Sequence, residues 1–456
     1  MNERVDRSEL PASLSYVGLL FLMAGFFEIS SGAQFPGFWA LLPVIGTVLL
    51  LLDNRATNPV NKVLSKALPV FFGKISYSLY LWHWPILVLA LFLRGDEVSI
   101  AEQSLWLVIS IGVATLSWRY IETPVRRSDR IGGKAVFGGT VLLSALALGL
   151  TGLIFKQDGI VSRFSDTAQV HINATADFLQ DWSRCDVATE GAFDGIELCP
   201  IGPEGDPEVL IWGDSHVRAL REGLNLASLE ADVPGLIIWR AGCPPFFGIE
   251  KEETAATPSQ NLACGEANRQ IEAAIEGLES VKNVLLVGRW TYYWTGEGVG
   301  LDAHNKIAVT LFADQSLEQP SALSMAAKTT VDALKTARKN VFIMKQPPEI
   351  EGYDSRIAAR SLALADLPLA NTETFSPSIS RDDVAQRQAD PNALWQQLDD
   401  EVQITQINIW DWICDTSNCF AVHDDIGHYF DNNHLTNSAA LRIREAFAPL
   451  FYETPQ

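Results

Sequence analysis

The stretch that decides the fold is Val209-Leu-Ile-Trp-Gly-Asp-Ser-His-Val-Arg-Ala-Leu220. Val209 to Trp212 is an apolar run of the length expected for a buried strand. Gly213 interrupts it, and from Val217 to Leu229 apolar residues return at helical spacing. Asp214 and Ser215 therefore stand where a strand gives way to a helix. A serine at that point has its hydroxyl at the carboxyl edge of a sheet and its N–H at a helix N-terminus, where developing negative charge is favoured. An ordinary capping serine fits the same place, so this stretch alone leaves both roles open.

The far end of the chain decides between them. Asp431-Asn-Asn-His434 precedes a helical pattern from Asn437 to Phe451. A nucleophilic serine needs a base, and a neutral imidazole needs a carboxylate to fix its tautomer. One loop carrying Asp431 and His434 can supply both, so Ser215, His434 and Asp431 are the expected catalytic set. Gly213-Asp-Ser-His216 near the start of a domain, with Asp431-x-x-His434 before its last helix, resembles the SGNH (GDSL-like) hydrolase family over residues 205–456. That resemblance implies an α/β/α domain around a parallel sheet, and strands alternating with helices agree with it. Strands are expected at 209–212, 235–239, within 283–290 together with its loop, at 340–344 and at 404–410. Helices are expected at 217–229, 266–279 and 320–338, with weaker helical patterning near 355–366 and 381–398 in a polar stretch, 350–395, able to cap the site.

The resemblance places an oxyanion-hole glycine at Gly242, whose N–H joins that of Ser215. Where the family pattern has an asparagine, this chain has Gly288-Arg289-Trp290, leaving Arg289 as a source of positive charge or the two N–H groups to suffice. Trp290, Tyr292, Tyr293 and Trp294 follow as an aromatic cluster. Such faces suit sugar rings, but core packing is the preferred reading. His423, Asp424, Asp425, His428, Asp431 and His434 crowd into twelve positions, a composition that can bind zinc or iron. No metalloprotease-type helix motif accompanies them, and a metal would leave Gly-Asp-Ser-His unexplained, so no metal is expected. His216, the next helical residue after Ser215, is expected to point elsewhere.

Composition sets wider bounds. A net charge of -21 argues against nucleic-acid binding. The six cysteines, Cys185, Cys199, Cys243, Cys264, Cys414 and Cys419, all lie in the second part of the chain. An even number without Cys-x-x-Cys spacing suits disulfides in an oxidising compartment. Chain order suggests 185–199, 243–264 and 414–419, among the 15 connectivities open to six cysteines.

The first 155 residues are mostly apolar, with segments at about 12–32, 37–53, 71–93, 104–120 and 135–155 near bilayer-crossing length. Arg4, Arg7, Arg55, Lys62, Lys66, Arg119, Arg126, Arg127, Arg130 and Lys134 fall on one side, against Arg94, Asp96 and Glu97 on the other. The positive-inside rule then puts the N-terminus inside and everything after about 156 outside. Phe72-Gly-Lys-Ile-Ser-Tyr-Ser-Leu-Tyr-Leu-Trp-His-Trp-Pro85 places Lys74, Tyr77 and His83 in or beside a membrane helix, and Arg119-Tyr-Ile-Glu-Thr-Pro-Val-Arg-Arg127 adds Glu122 and Arg126. Ionisable groups there are functional candidates, although interfacial aromatics and helix-end charges are also ordinary anchors.

These two stretches resemble the last membrane helices of the acyltransferase-3 family, some members of which carry a periplasmic SGNH domain after an additional helix. Three parts are then expected: a partial acyltransferase-3-like transmembrane domain at 1–155 with linking helix 135–155, a periplasmic linker at 156–205, and an SGNH hydrolase-like domain at 206–456. The resemblance implies a bacterial inner-membrane O-acyltransferase that acetylates a cell-surface polysaccharide such as lipopolysaccharide O-antigen. Acetyl-CoA is the implied donor, and no bound cofactor is expected. The family has about ten membrane helices plus the linking one, against five segments here. A truncated or split product, or a separate chain supplying the remaining helices, is the corresponding expectation. A periplasmic esterase or deacetylase is the alternative, and a membrane-anchored scaffold with a relict site a third reading.

Overall fold

The computed structural model describes residues 13–29, 37–52, 58–95, 98–128, 132–367 and 370–452. Of the charges used to orient the membrane segments, Arg4, Arg7, Arg55, Asp96, Glu97 and Arg130 lie outside the described residues. The chain divides into two compact units, with the boundary between Leu148 and Gly149.

The first unit is helical. Ala67–Arg94, Ile100–Arg127 and Gly133–Lys156 are long and apolar enough to cross a membrane. Leu14–Glu28 and Phe38–Leu52 are apolar but shorter, below the roughly 20 residues that span a bilayer. Among the described residues there are thus three candidate spans and two shorter apolar helices, and five crossings are not confirmed.

The second unit is an α/β domain. Its seven-stranded sheet has the order β1-β2-β4-β3-β6-β8-β10, where β1 is Asp186–Val187, β2 Glu197–Ile201, β3 Val209–Gly213, β4 Gly235–Trp239, β6 Asn283–Val287, β8 Asn340–Met344 and β10 Thr405–Ile407. Among the described residues, three two-stranded sheets lie apart from it: β5 (Ile249–Glu253) with β7 (Ile307–Leu311), β9 (Ser378–Ser380) with β11 (Asn418–Phe420), and β12 (Val422–His423) with β13 (Ile426–Gly427). The five strands from β4 to β10 are parallel, whereas β1 and β2 run antiparallel at one edge. The sheet is thus mixed rather than parallel, because the segment read as a linker supplies its edge. That segment has no sustained period, and β2 contains Pro200, which lies past the two residues that pair with β1 and so stands locally at the sheet edge, where proline is tolerated. The same segment forms the helix Asp166–Ala176, in which His171 Nδ1 lies 2.9 Å from the Tyr353 hydroxyl.

Side-chain alternation along the strands divides the core into two layers. Leu210, Trp212, Leu286 and Ile343 pack on one face, and Val209, Ile211, Leu285 and Phe342 on the other. The helix Ser215–Ala231 covers the second face, and its Gly223 meets the last helical segment at backbone distance. A Cβ on Gly223 would come within 2.0 Å of the Ala440 carbonyl oxygen. This contact brings the segment that follows His434 onto the helix that begins with Ser215. β3 lies between β4 and β6, which the chain reaches by crossovers to opposite sides. In an open α/β sheet, this reversal opens a crevice at the carboxyl ends of the strands.

Gly223→Ala forces two backbones apart and is expected to destabilise the domain by about 1–3 kcal/mol. A thermal melt of the full chain checks this, and an unchanged transition would refute the close approach as a packing constraint.

Candidate active site

Ser215 opens its helix, but the cap is Asp214, whose carboxylate accepts from His216 N–H at 2.8 Å. The cap is therefore made without the serine hydroxyl. Ser215 Oγ lies 2.8 Å from His434 Nε2, and His434 Nδ1 lies 2.8 Å from Asp431 Oδ2. Asp431 also accepts from the N–H groups of Asn433 at 3.0 Å and His434 at 2.8 Å. Burial opposes its ionisation, but the adjacent His434 and these hydrogen bonds outweigh burial and hold the carboxyl well below the usual range. The structure thus brings Ser215, His434 and Asp431 into one hydrogen-bonded relay.

The relay opens into a cavity of about 660 Å³, also lined by Arg240, Gly242, Tyr292 and Tyr353. Gly242 has φ +57°, a left-handed conformation that favours glycine, and a Cβ there would approach the Glu253 carboxylate to 2.2 Å. Its loop is tied down by the bond from Arg240 N–H to the Gly213 carbonyl at 3.0 Å and by the Cys243–Cys264 disulfide. Among the described residues, the N–H groups of Ser215 and Gly242 donate to no protein acceptor.

Arg289, the candidate for a third oxyanion donor, is held by two acids. Its Nε donates to Glu349 at 2.6 Å, one terminal nitrogen pairs with Glu349 at 2.5 Å and the other with Asp302 at 2.5 Å. Burial works against its charge, and the two carboxylates more than offset that, driving its pKa up. Its guanidinium is committed to those acids, leaving the backbone N–H to donate to Asp214 Oδ2 at 2.8 Å. Trp290, Tyr292, Tyr293 and Trp294 are buried in the core, with the Tyr293 hydroxyl bonded to Asp214.

His216 does not point elsewhere. It is 3 % exposed, its Nδ1 lies 3.0 Å from Asp214 Oδ1, and its ring stacks on that of His434 with centroids 4.8 Å apart. The sequence placed the residue but not the rotamer that turns it back beside the relay. Asp302, Glu349 and Asn432 also serve this site. They belong to loops with no local motif, and only the close sequence position of Asn432 to His434 offered a signal.

Among the described residues, no three His, Cys, Asp or Glu side chains converge as a metal-binding group. His428 is buried, and burial pushes its imidazole down to about 4. The pairings Cys185–Cys199, Cys243–Cys264 and Cys414–Cys419 are all present. In the helical unit, Glu122 accepts from Ser78 at 3.0 Å and pairs with Arg126 at 3.2 Å. Lys74, Tyr77 and His83 are exposed instead, with His83 Nδ1 3.0 Å from the Leu79 carbonyl.

Residues 184–449 match the family described as "SGNH domain (fused to AT3 domains)". The chain belongs to this family. The O-acetyltransferase OatA of Staphylococcus aureus strain NCTC 8325 / PS 47 is 31 % identical over 118 residues, covering 24 % of this chain and 19 % of the relative. The protein of that name from strain COL gives the same figures. The match thus spans about a fifth of the length of these relatives. A solved structure, the periplasmic domain of Salmonella ser. Paratyphi A lipopolysaccharide acetyltransferase, aligns with a TM-score of 0.36 at 14 % identity, covering 54 % of this chain and 83 % of that one.

Asp214 provides a test of the site's electrostatics. Burial opposes its charge, but His216 and the Tyr293 hydroxyl lower its pKa from the ordinary 3.8 to about 2. A depressed carboxylate contributes stability that is present above pH about 4 and lost as pH falls toward 2, here about 2 kcal/mol. The gap in melting temperature between the wild-type protein and Asp214→Asn is expected to narrow over that window. A gap independent of pH would refute the assignment.

Proposed function

We propose that this chain is a membrane-anchored O-acetyltransferase that forms an acyl-enzyme on Ser215 and passes the acetyl group to a hydroxyl of a cell-surface polysaccharide. The observation that carries this reading is the relay of Ser215, His434 and Asp431 at the floor of an open cavity. Membership of the SGNH family fused to acyltransferase-3 domains and the likeness to OatA support transfer as the outcome.

Ser215 Oγ attacks the acyl carbonyl while its proton passes to His434 Nε2, and Asp431 holds the imidazole and stabilises its cation. The N–H groups of Ser215 and Gly242 take the developing oxyanion. His434 returns the proton to the departing group. In the second half, His434 takes the proton of the acceptor hydroxyl, which attacks the acyl-serine, and Ser215 leaves as the free hydroxyl. Acetyl-CoA is the proposed cytoplasmic source of the acetyl group.

The three candidate spans support a membrane location, and three disulfides support an oxidising, periplasmic setting for the relay. We assign this to the inner membrane of a bacterium. Lys74, Tyr77 and His83, exposed on an apolar helix, are assigned to contacts with further membrane helices, whether of this chain or of another.

The test uses the full chain in detergent with an activated acetyl ester and acidic or neutral oligosaccharide acceptors. Ser215→Ala is expected to lower acetyl release and transfer at least about 10³-fold while leaving the melting temperature within a few degrees. Acetylated sugar supports the transferase, acetate alone would move the protein to the esterases, and full activity in Ser215→Ala would refute the relay.

A further inference from the structure

The two ends of the relay come from distant segments, yet they must meet to within tenths of an ångström. Ser215 is held through Asp214, and His434 through the loop that begins at Asp431. A single carboxylate, Asp302, lies between these two supports. Its Oδ2 pairs with Arg289 at 2.5 Å, and Arg289 N–H donates to Asp214 Oδ2 at 2.8 Å. Its Oδ1 accepts from Asn432 Nδ2 at 2.9 Å, and Asn432 is next to Asp431. The Asn432 amide also donates to the Val299 carbonyl at 2.9 Å, and the Asn432 carbonyl accepts from Ile350 N–H at 2.8 Å. Asp302 is fixed by its own turn, where Val299 N–H donates to Oδ1 at 2.9 Å.

The charges around it are balanced. Glu349 is buried between Arg289 and Arg387, with the Arg387 contact at 2.7 Å, and Asp302 is the second acid on Arg289. An asparagine at 302 would preserve shape but could accept from only one of its two neighbours while facing the other with its NH₂ group. Arg289 would then lose part of its compensation in a buried place, where that loss is costly.

We propose that Asp302 is a positioning residue that sets the distance between Ser215 and His434 by holding the Asp214 junction and the 431–434 loop in one register. It acts through Arg289 and Asn432 rather than on substrate, and the inference rests on the Ser215–His434–Asp431 reading above.

The experiment is a double-mutant cycle on the full chain in detergent, with hydrolysis of p-nitrophenyl acetate as the readout. Asp302→Asn is expected to lower kcat about 10- to 100-fold, the scale of a small misplacement of reacting groups, with KM within about twofold. In a His434→Ala background the same change should alter the residual rate less than about twofold, because groups acting as a unit are non-additive. Asn432→Ala breaks the same clasp without touching the Arg289 ion pairs, so it keeps the test open where Asp302→Asn fails to fold. It should show the same loss and the same non-additivity. Multiplicative losses in the His434→Ala background, or a fall in melting temperature with kcat unchanged, would overturn the positioning role. Full activity in Ser215→Ala would instead overturn the reading on which it rests.

Discussion

The contact on which the site depends is the 2.8 Å hydrogen bond between Ser215 Oγ and His434 Nε2, made across 219 residues of chain. Only a fold that returns its C-terminal segment to the carboxyl end of β3 can make it. The sheet places β3 between β4 and β6, which opens the crevice. The helix from Ser215 then gives the returning segment a surface to dock on, with Gly223 against Ala440 as the closest point. Packing thus governs the site in a direct way, since moving the last helical segment moves the base.

Two buried carboxylates divide the electrostatic work. Asp431 faces the imidazole and accepts two backbone N–H groups, an arrangement that keeps it ionised and acceptor-only. Asp214 is buried, and its carboxylate is taken up by protein donors. It accepts from His216, Tyr293 and the Arg289 backbone, and so joins β3 to the loop after β6. Because Asp214 supplies the helix cap, Ser215 keeps its hydroxyl for His434. This answers the ambiguity of a serine at a strand–helix junction: the cap was needed, and the residue before it made the cap.

What could be read from the sequence follows from how local each signal is. β3, β4, β6 and β8 are buried apolar runs bounded by breakers, and they fall where hydrophobicity alone put them. Ser215, Asp431 and His434 were legible because two short motifs carry them. β2 was not, because five residues with a proline on a sheet edge have no period to detect. Arg289 was legible as a charge, but its destination depends on Glu349 and Asp302, residues 60 and 13 positions away. His216 was misplaced because helical phase fixes where a Cβ points and leaves the rotamer open.

Loops carry most of the site, so their rigidity is part of its chemistry. An oxyanion donor is effective only when it is already aimed at the reacting atom. Gly242 sits on a turn of positive φ, the conformation least able to hold itself, and the next residue is Cys243. Its disulfide to Cys264 anchors the turn to the helix Pro258–Ala274, and Asn268 of that helix donates to the carbonyls of Pro244 at 2.9 Å and Phe246 at 2.8 Å. The covalent bond therefore does more than add stability to a domain in an oxidising setting. It ties down the Gly242 turn, as the hydrogen bonds of Asp302 to Arg289 and Asn432 tie together the loops on which they sit. On the proposed transfer reaction, an acyl-enzyme that waits for a sugar hydroxyl would need these loops to hold still while the acceptor arrives.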